Sequence, residues 1–201
     1  MPRNLPFAPQ ALSAFLVIAA AILSGCATES AKTPTAPRPT VHLTDDTETA
    51  LLPPSDIAAP LDEIQRVEAR FDGREYAMNA LVAADARGIT MVGLGDLGQE
   101  LFALEYREDR LSLDGPAAAA GIDPAYVVID LQLAFYRGKA LRRTLEDSGL
   151  ALEEAVDGDA VSRTVLRNGR VIIEIRIAPD SVRLENRLRG YAYIITRNRD
   201  A

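Results

Sequence analysis

The sequence has few of the side chains that most often carry chemistry. Its 201 residues include one cysteine, one histidine and no tryptophan, and aromatic residues make up 5% of the chain. A single cysteine cannot form an internal disulfide. One cysteine and one histidine also cannot supply the set of spaced ligands that a zinc site needs. The shortage of aromatic side chains leaves no obvious platform for stacking sugars or bases. We therefore expect no metal and no cofactor.

The candidate catalytic side chains are also poorly placed for catalysis. The only histidine, His42, lies in a proline-rich segment, so a Ser-His-Asp or Cys-His site would have to recruit a residue from outside the folded domain. The acidic pairs Glu153-Glu154 and Asp157/Asp159 are typical of solvent-exposed turns rather than of paired catalytic carboxylates. We expect no catalytic residues and no enzyme activity.

The chain is acidic overall, with a formal net charge of −7, which disfavours general binding of nucleic acid. Residues 161–201 are an exception, because they hold nine arginines against four acidic residues. Arginines on the outer faces of strands keep a sheet soluble and discourage edge pairing. A basic surface also attracts anionic lipid head groups, so both interpretations stay open. The arginines are Arg163, Arg167, Arg170, Arg176, Arg183, Arg187, Arg189, Arg197 and Arg199.

The first 25 residues are typical of an export signal. Arg3 supplies a positive charge, and the 12 residues Ala11–Ile22 form an apolar run with one small polar residue, Ser13. A bilayer span needs about 20 apolar residues, so this run is too short for a stable membrane helix. Its length is that of a signal-peptide core, and we assign residues 1–25 to a cleavable signal peptide.

The signal peptide leads into Leu23-Ser24-Gly25-Cys26, which resembles the lipobox, the processing site of bacterial lipoproteins. The resemblance implies cleavage before Cys26, a thioether-linked diacylglycerol on its sulfur and an acylated new amino terminus. Each buried CH₂ contributes about 0.8 kcal/mol, so two or three acyl chains make release from a membrane negligible. Ala27 replaces the aspartate that resembles an inner-membrane retention signal, which implies the outer membrane. We expect a lipid-anchored protein on the periplasmic side of the outer membrane.

Residues 26–60 are expected to be the lipidated cysteine and a disordered tether. Residues 27–60 contain six prolines and seven threonines. No apolar period runs through this segment, and proline removes backbone donors and fixes φ. A flexible chain of this length reaches roughly 30 Å on average, so the folded part can contact its own membrane.

Residues 61–201 are expected to form the folded domain, and most of this segment alternates between apolar and polar residues. A period of two predicts strands. Asp72-Gly73 and Asn168-Gly169 predict hairpin turns. Strands are predicted over residues 65–71, 76–82, 89–94, 100–106 and 111–113 before the middle of the domain, and over residues 163–167, 170–177, 182–186 and 190–195 after it.

The sequence in the middle of the domain predicts two helices. Asp123 is a good N-cap and Pro124 suits a first helical position, so a helix is predicted over Pro124–Tyr136 with one apolar stripe. A second, shorter helix is predicted over Lys139–Asp147 and ends at Gly149. An antiparallel sheet must bury one face. We therefore expect a mainly β (α+β) domain, in which a curved antiparallel sheet forms an incomplete barrel with the mid-chain helices covering its concave face.

The domain resembles a family of LolB-like envelope lipoproteins, which are often encoded in aryl-polyene pigment gene clusters. The matching stretches are Ile89–Tyr106, Val127–Ala134, Leu184–Asn186 and Arg189–Tyr191, and the likeness covers roughly residues 61–196. LolA and LolB are similar in outline and hold lipoprotein acyl chains in the cavity of an incomplete antiparallel barrel. The resemblance implies the same architecture, but a shared fold does not by itself assign the same cargo.

In such a half-barrel the inward-facing apolar residues would line a hydrophobic trough. Burying an acyl chain there needs only apolar area, at about 25 cal/mol per Å². The alternative is that the same residues pack against one another in a filled core. The candidate ligand-binding residues are Phe102, Leu104, Tyr106, Val127, Leu131, Val171, Ile173 and Ile175.

Gly93-Leu94-Gly95-Asp96-Leu97-Gly98 formally matches the G-x-G-x-x-G fingerprint of dinucleotide-binding folds. The residues that follow alternate with period two rather than forming a helix, and the neighbouring elements are meandering strands instead of βαβ units. We expect these glycines to let the strands bend sharply, without binding a cofactor.

The sequence therefore predicts a lipoprotein that binds or transfers a hydrophobic ligand, either lipoprotein acyl chains or a glycolipid such as an aryl-polyene lipid. Its expected partners are the membrane, through lipid on Cys26, the hydrophobic ligand, and envelope transport or lipoprotein-sorting proteins. The alternative is a structural envelope lipoprotein that acts as a protein-docking module without a lipid ligand. A large apolar void beneath the helices favours the first function, and a filled core favours the second.

Overall fold

The computed structural model describes residues 37–198. A hairpin opens this part of the chain, with β1 at Thr40–Thr44 and β2 at Thr47–Ala50, and a 3-10 turn at Pro54–Asp56 follows. Five strands come next: β3 (Leu61–Phe71), β4 (Arg74–Asp85), β5 (Gly88–Leu94), β6 (Glu100–Arg107) and β7 (Arg110–Asp114). The helices are α1 (Pro116–Ala119), α2 (Pro124–Phe135) and α3 (Gly138–Asp147). Five strands complete the domain: β8 (Ala151–Asp157), β9 (Ala160–Arg167), β10 (Arg170–Ile177), β11 (Ser181–Asn186) and β12 (Tyr191–Asn198).

Ten of the strands form one antiparallel sheet, and β1 and β2 form a separate two-stranded sheet. The order in the large sheet is β7-β6-β5-β4-β3-β12-β11-β10-β9-β8, so β7 and β8 are its two edges and the sheet is not closed. The pairing of β12 with β3 joins the strands before the helices to those after them. The predicted mainly β architecture, with an unclosed antiparallel sheet and helices inserted in mid-chain, is confirmed.

Both predicted hairpin turns are present. Asp72 and Gly73 have φ of 50° and 70°, and Asn168 and Gly169 have φ of 51° and 76°. Two consecutive positive φ values match the twist of the flanking strands, and aspartate, asparagine and glycine adopt them at least cost. Just beyond the second turn, the register of β10 against β9 shifts between Val171 and Ile173. This bulge explains why Ile172 is buried although it interrupts the alternation along its strand.

Helix α2 begins as predicted and is buried more completely than its sequence pattern suggested. The side chain of Asp123 accepts a hydrogen bond from the backbone N–H of Ala125 at 2.9 Å, which caps the helix. Nine of its 12 residues are buried, whereas one apolar stripe was predicted. The helix contacts β1, β7 and β10, so the sheet and the N-terminal hairpin cover it from several sides. Among residues 37–198, no helix is long and apolar enough to cross a bilayer.

The prediction of a disordered tether up to Pro60 is wrong from Thr40 onward. Residues 1–36 lie outside the described part of the chain, and with them the predicted signal peptide, Cys26 and the first part of the predicted tether. The later part folds because its apolar side chains alternate along β1 and then continue into the core. The residues that it adds to the hydrophobic core are Val41, Leu43, Leu51, Leu52 and Ile57. The high proline and threonine content concealed this alternation.

A second error concerns the acidic residues after the helices. Glu153, Glu154 and Asp157 were assigned to turns, but they lie on the edge strand β8. Only Leu152 is buried on this strand, so its sequence lacks the alternating apolar residues that reveal a strand. Backbone pairing with β9 is what makes this segment a strand, and Glu154 lies directly opposite Arg163 in that pairing. The short helix α1 was also not predicted.

Candidate ligand-binding cavity

One cavity of about 700 Å³ lies between α2 and the inner face of the large sheet. The face is built by strand alternation: in β3, β4 and β12 every second residue points toward the helix. The register aligns these residues across the sheet, with Val67 opposite both Met78 and Ile195, and Ala69 opposite Tyr193. The apolar lining comes mainly from Val67, Ala69, Phe71, Met78, Ala80, Met91, Leu101, Phe102, Leu113, Val127, Leu131, Ala134, Phe135 and Ile195.

The cavity is open at the β3–β4 hairpin. Phe71, Tyr76 and Ile122 line it and are 52%, 51% and 50% exposed. Farther from the hairpin, the lining residues Ala80 on β4 and Met91 on β5 are buried. The inner face therefore changes from buried to exposed toward the hairpin, which gives an elongated molecule a route into the cavity.

Three of the eight predicted trough residues line this cavity, namely Phe102, Val127 and Leu131. Four others belong to the packed core and do not line it: Leu104, Tyr106, Ile173 and Ile175, each no more than 2% exposed. The eighth, Val171, lies in a separate polar depression near Arg167 and Leu188. Alternation correctly placed most of these residues on the inner face. It could not show that the empty space lies at one end of that face, where the predicted strands β3, β4 and β12 supply lining residues that the sequence did not single out.

Gly93 belongs to this site because it makes room for one of the lining side chains. A Cβ atom built on Gly93 would lie less than 3.0 Å from three ring carbons of Phe102, its cross-strand partner. Gly95 is likewise covered by the side chain of Gln99. The G-x-G-x-x-G pattern thus marks the β5–β6 hairpin, where Gly93 makes room for a side chain of the returning strand and Gly95 for the residue just before that strand.

The only acidic side chain in the lining is Asp130, which lies in the middle of α2 and is 6% exposed. The hydroxyl of Tyr191 donates a hydrogen bond to its Oδ2 atom at 2.8 Å. The side-chain amide of Asn186 in turn donates to the Tyr191 hydroxyl at 3.2 Å. Burial raises the pKa of Asp130 to about 7, and hydrogen bonds from Tyr191 and Tyr193 act in the opposite direction. Within residues 37–198, Oδ1 of Asp130 has no hydrogen-bond partner.

The C-terminal end of α2 is held by an inward-facing arginine. Arg163 donates hydrogen bonds to the carbonyl oxygens of Leu133 and Ala134 at 2.7 and 3.3 Å, and to Glu154 at 2.8 Å. A cation at a helix C-terminus pairs with the carbonyls that have no intrahelical partner. The expectation that the C-terminal arginines lie on outer strand faces is wrong for this residue, whose side chain is only 10% exposed.

Arg197 is the second arginine that points inward. Its guanidinium donates hydrogen bonds of 2.8 and 2.9 Å to the two carboxylate oxygens of Glu63, and the two side chains are 10% and 4% exposed. The same guanidinium lies 5.0 Å from the ring centre of Phe135, which lines the cavity. This buried ion pair therefore supports the cavity wall from behind.

The N-terminal segment covers the opposite side of α2. The carboxamide of Gln132 accepts a hydrogen bond from the N–H of Leu52 at 3.0 Å and donates to its carbonyl oxygen at 2.8 Å. Tyr106 donates to the same carbonyl at 2.8 Å. Tyr126 donates to the carbonyl of His42 at 2.7 Å, while the His42 residue itself is exposed on β1.

The structure adds site residues that sequence reasoning did not identify, above all Asp130 and Tyr191. A signal was present, because Asp130 is the one charged residue in the apolar sequence Val127–Phe135. An acid inside such a run is buried only with hydrogen-bonding partners, and alternation in β12 places Tyr191 and Tyr193 on one face.

The described residues contain no cluster of histidine, cysteine, aspartate and glutamate suited to a metal ion. No curated protein matches the chain. Residues 62–198 match the family model described as "Protein of unknown function (DUF3261)", and the chain belongs to this family.

Proposed function

We propose that this protein is a lipid-anchored envelope protein of the LolB-like kind, which binds or transfers a hydrophobic ligand without catalysis. The observation that carries the proposal is the cavity of about 700 Å³ lined mainly by apolar side chains. Ligand sites in proteins have volumes of roughly 300–1,000 Å³ and combine apolar walls with a few polar groups. The unclosed sheet, with helices inserted in mid-chain, is compatible with the incomplete barrel of LolA and LolB.

The anchor in this proposal is a diacylglycerol on Cys26, with the domain on the periplasmic side of the outer membrane. This part rests on the sequence, because Cys26 lies outside the described residues. Mass spectrometry of the protein extracted from membranes tests it: the N-terminal peptide should begin at Cys26 and carry the mass of the lipid. An unmodified Cys26 would remove the anchor from the proposal and leave the cavity as it is.

The empty cavity also supports ligand binding over the alternative of a docking module, which calls for a filled core. Lipoprotein acyl chains and glycolipids such as an aryl-polyene lipid both fit the proposal, because each offers a long apolar portion. Burying such a portion contributes about 0.8 kcal/mol per CH₂ group, which gives usable affinity without any charged contact.

Ligand binding is tested with the full chain, purified from membranes and held in lipid nanodiscs. A fluorescent fatty acid should show saturable binding above the background of protein-free nanodiscs. Ala69→Phe should reduce this binding, because Ala69 lines the cavity on β3. Ala83→Phe is the matched control, since Ala83 is exposed on the outer face of the paired strand β4. Equal binding by both variants, or no saturable binding at all, would contradict a ligand site in this cavity.

A further inference from the structure

The strongest unexplained feature of the cavity is the single carboxyl group of Asp130. It lies on the most buried helix of the fold, it lines the cavity, and one of its two oxygens has no partner among residues 37–198. A buried polar atom without a partner is rare, because losing water without gaining a hydrogen bond costs about 1–3 kcal/mol. This carboxyl group does not cap α2, as Asp123 does, and it takes no part in the buried ion pair between Glu63 and Arg197.

The hydrogen bonds around Asp130 are donated in its direction, from one side chain to the next. Asn186 donates to the hydroxyl of Tyr191, and Tyr191 donates to Oδ2 of Asp130. Tyr193 stacks beside Tyr191, with ring centres 6.4 Å apart, and its hydroxyl lowers the pKa of Asp130, as that of Tyr191 does. This chain of donors orients Asp130 as an acceptor, and Oδ1 stays buried in the cavity wall without a hydrogen-bond partner among residues 37–198.

A counter-charge for Asp130 is missing from its surroundings. No lysine or arginine in residues 37–198 forms a hydrogen bond or ion pair with this carboxyl. Two arginines lie near other parts of α2 or the cavity. Arg189 lies over the ring of Tyr126 at 5.6 Å, and Arg70 lines the exposed end of the cavity. A ligand that donates to Oδ1 would supply the missing partner.

The position of the carboxyl suits an amphipathic ligand. Tyr191 is paired in register with Phe71, which is 52% exposed at the open end of the cavity. The hydrogen bond from Tyr191 therefore ties Asp130 to the strand pair that ends at this opening. The buried lining residues Ala80 and Met91 lie farther inside. A polar end beside Asp130 thus leaves the apolar part of the same molecule in the interior.

We propose that the cavity takes an amphipathic ligand whose polar end carries a hydrogen-bond donor, a hydroxyl or ammonium group, which pairs with Oδ1 of Asp130. This inference rests on the proposed function and specifies the chemical class of the ligand. It distinguishes such ligands from free fatty acids, whose carboxylate would be repelled by an ionised Asp130, and from molecules whose polar end only accepts hydrogen bonds.

The test uses the full chain in uncharged nanodiscs at pH 8 and displaces a bound uncharged probe, a fluorescent pyrenyl alkane, with four ligands of equal chain length. These are dodecanol, dodecylamine, dodecyl methyl ether and dodecanoate, each compared with protein-free nanodiscs. Dodecanol and dodecylamine should bind about tenfold more tightly than the ether, the factor expected for one buried hydrogen bond to a charged group. Asp130→Asn should reduce this preference while leaving the affinity for the ether unchanged.

A second measurement keeps the inference testable if Asp130→Asn does not fold. In the unmodified chain, the affinity for dodecanol should rise between pH 6 and pH 8, because the donor favours the ionised carboxyl, while the affinity for the ether stays constant. Equal affinities for dodecanol and its ether, or tightest binding of dodecanoate, would overturn the inference and leave the proposed function intact. Failure of all four ligands to displace the probe would count against both.

Discussion

Gln132 holds the backbone of Leu52 at both of its hydrogen-bonding groups, the N–H at 3.0 Å and the carbonyl oxygen at 2.8 Å. The two residues are 80 positions apart in the sequence, and both are buried. The carboxamide thus pairs with the backbone of Leu52 as a neighbouring strand would, and it holds the N-terminal segment against α2. This contact explains how a proline-rich stretch becomes part of the core.

Gln132→Ala should destabilise the domain by roughly 2–4 kcal/mol, because it leaves the Leu52 N–H buried without a partner and creates a cavity. The free energy of unfolding in urea measures this loss. Hydrogen exchange at the amide of Leu52 should accelerate more than exchange in the large sheet. Arg143→Ala, an exposed substitution on α3, is the control. A loss of stability no greater than in this control would show that the contact does not hold the segment.

Arg163→Ala should also destabilise the domain, by about 2–4 kcal/mol, since the last carbonyls of α2 and the carboxylate of Glu154 lose their donor. Arg176→Ala is the matched control on the neighbouring strand, where the arginine side chain is 56% exposed and its ion pair with Asp157 spans 3.6 Å. Exposed pairs of this kind contribute roughly 0–1 kcal/mol. Similar unfolding curves for the two variants would contradict the role of Arg163 as a helix cap.

Gly93→Ala should push the ring of Phe102 out of its place, because the added methyl group would overlap the ring. Overpacking of this kind costs about 1–3 kcal/mol, and the displaced ring should weaken binding of the fluorescent fatty acid. Phe102→Leu in the same chain should recover part of the lost stability by shortening the opposing side chain. The four proteins form a double-mutant cycle, and additive losses would show that the two residues do not interact.

Asp130 should make the stability of the empty protein depend on pH. Its pKa is raised from 3.8 in the unfolded chain to about 7 in the fold, so the folded state binds more protons between these values. This contribution to stability is complete below about pH 4 and is lost as the pH rises through 7.

The measurement compares unmodified protein with Asp130→Asn at pH 5, 6, 7 and 8. The variant, whose amide does not ionise, should gain stability relative to the unmodified protein as the pH rises. Asp114→Asn, at an exposed position on β7, controls for the general effect of removing a carboxylate. If the difference in stability between Asp130→Asn and the unmodified protein stays constant across this pH range, the pKa of Asp130 is not raised in the folded state.

The sequence predicted well those elements whose local pattern and tertiary environment agree. The hairpins at Asp72-Gly73 and Asn168-Gly169 and the cap at Asp123 are local features, and each one formed. Strands whose apolar residues alternate were found for the same reason. The edge strand β8 was missed, because it buries one leucine and depends on backbone pairing with β9.

The sequence predicted an apolar ligand site on the inner face of the sheet, but it did not predict where on that face the cavity lies. The alternating residues of β6 and β10 were correctly assigned to the inner face, yet Leu104 and Ile173 fill the core while Phe102 faces empty space. The difference depends on which part of the face α2 covers, and this depends on contacts between residues far apart in the sequence. Gln132 with Leu52, and Arg163 with the end of α2, are two such contacts.

By itself, the sequence determined the mainly antiparallel strands, the turns between them and the two mid-chain helices, because alternation, helical spacing and turn chemistry act over a few residues. Tertiary structure alone decided that residues 40–57 join the core, that two arginines point inward, and that a cavity stays open beside α2. It also placed the carboxyl of Asp130 there, with one oxygen that has no partner among residues 37–198. The physical reason is that packing and desolvation depend on which surfaces meet, and a pattern along one strand does not contain that information.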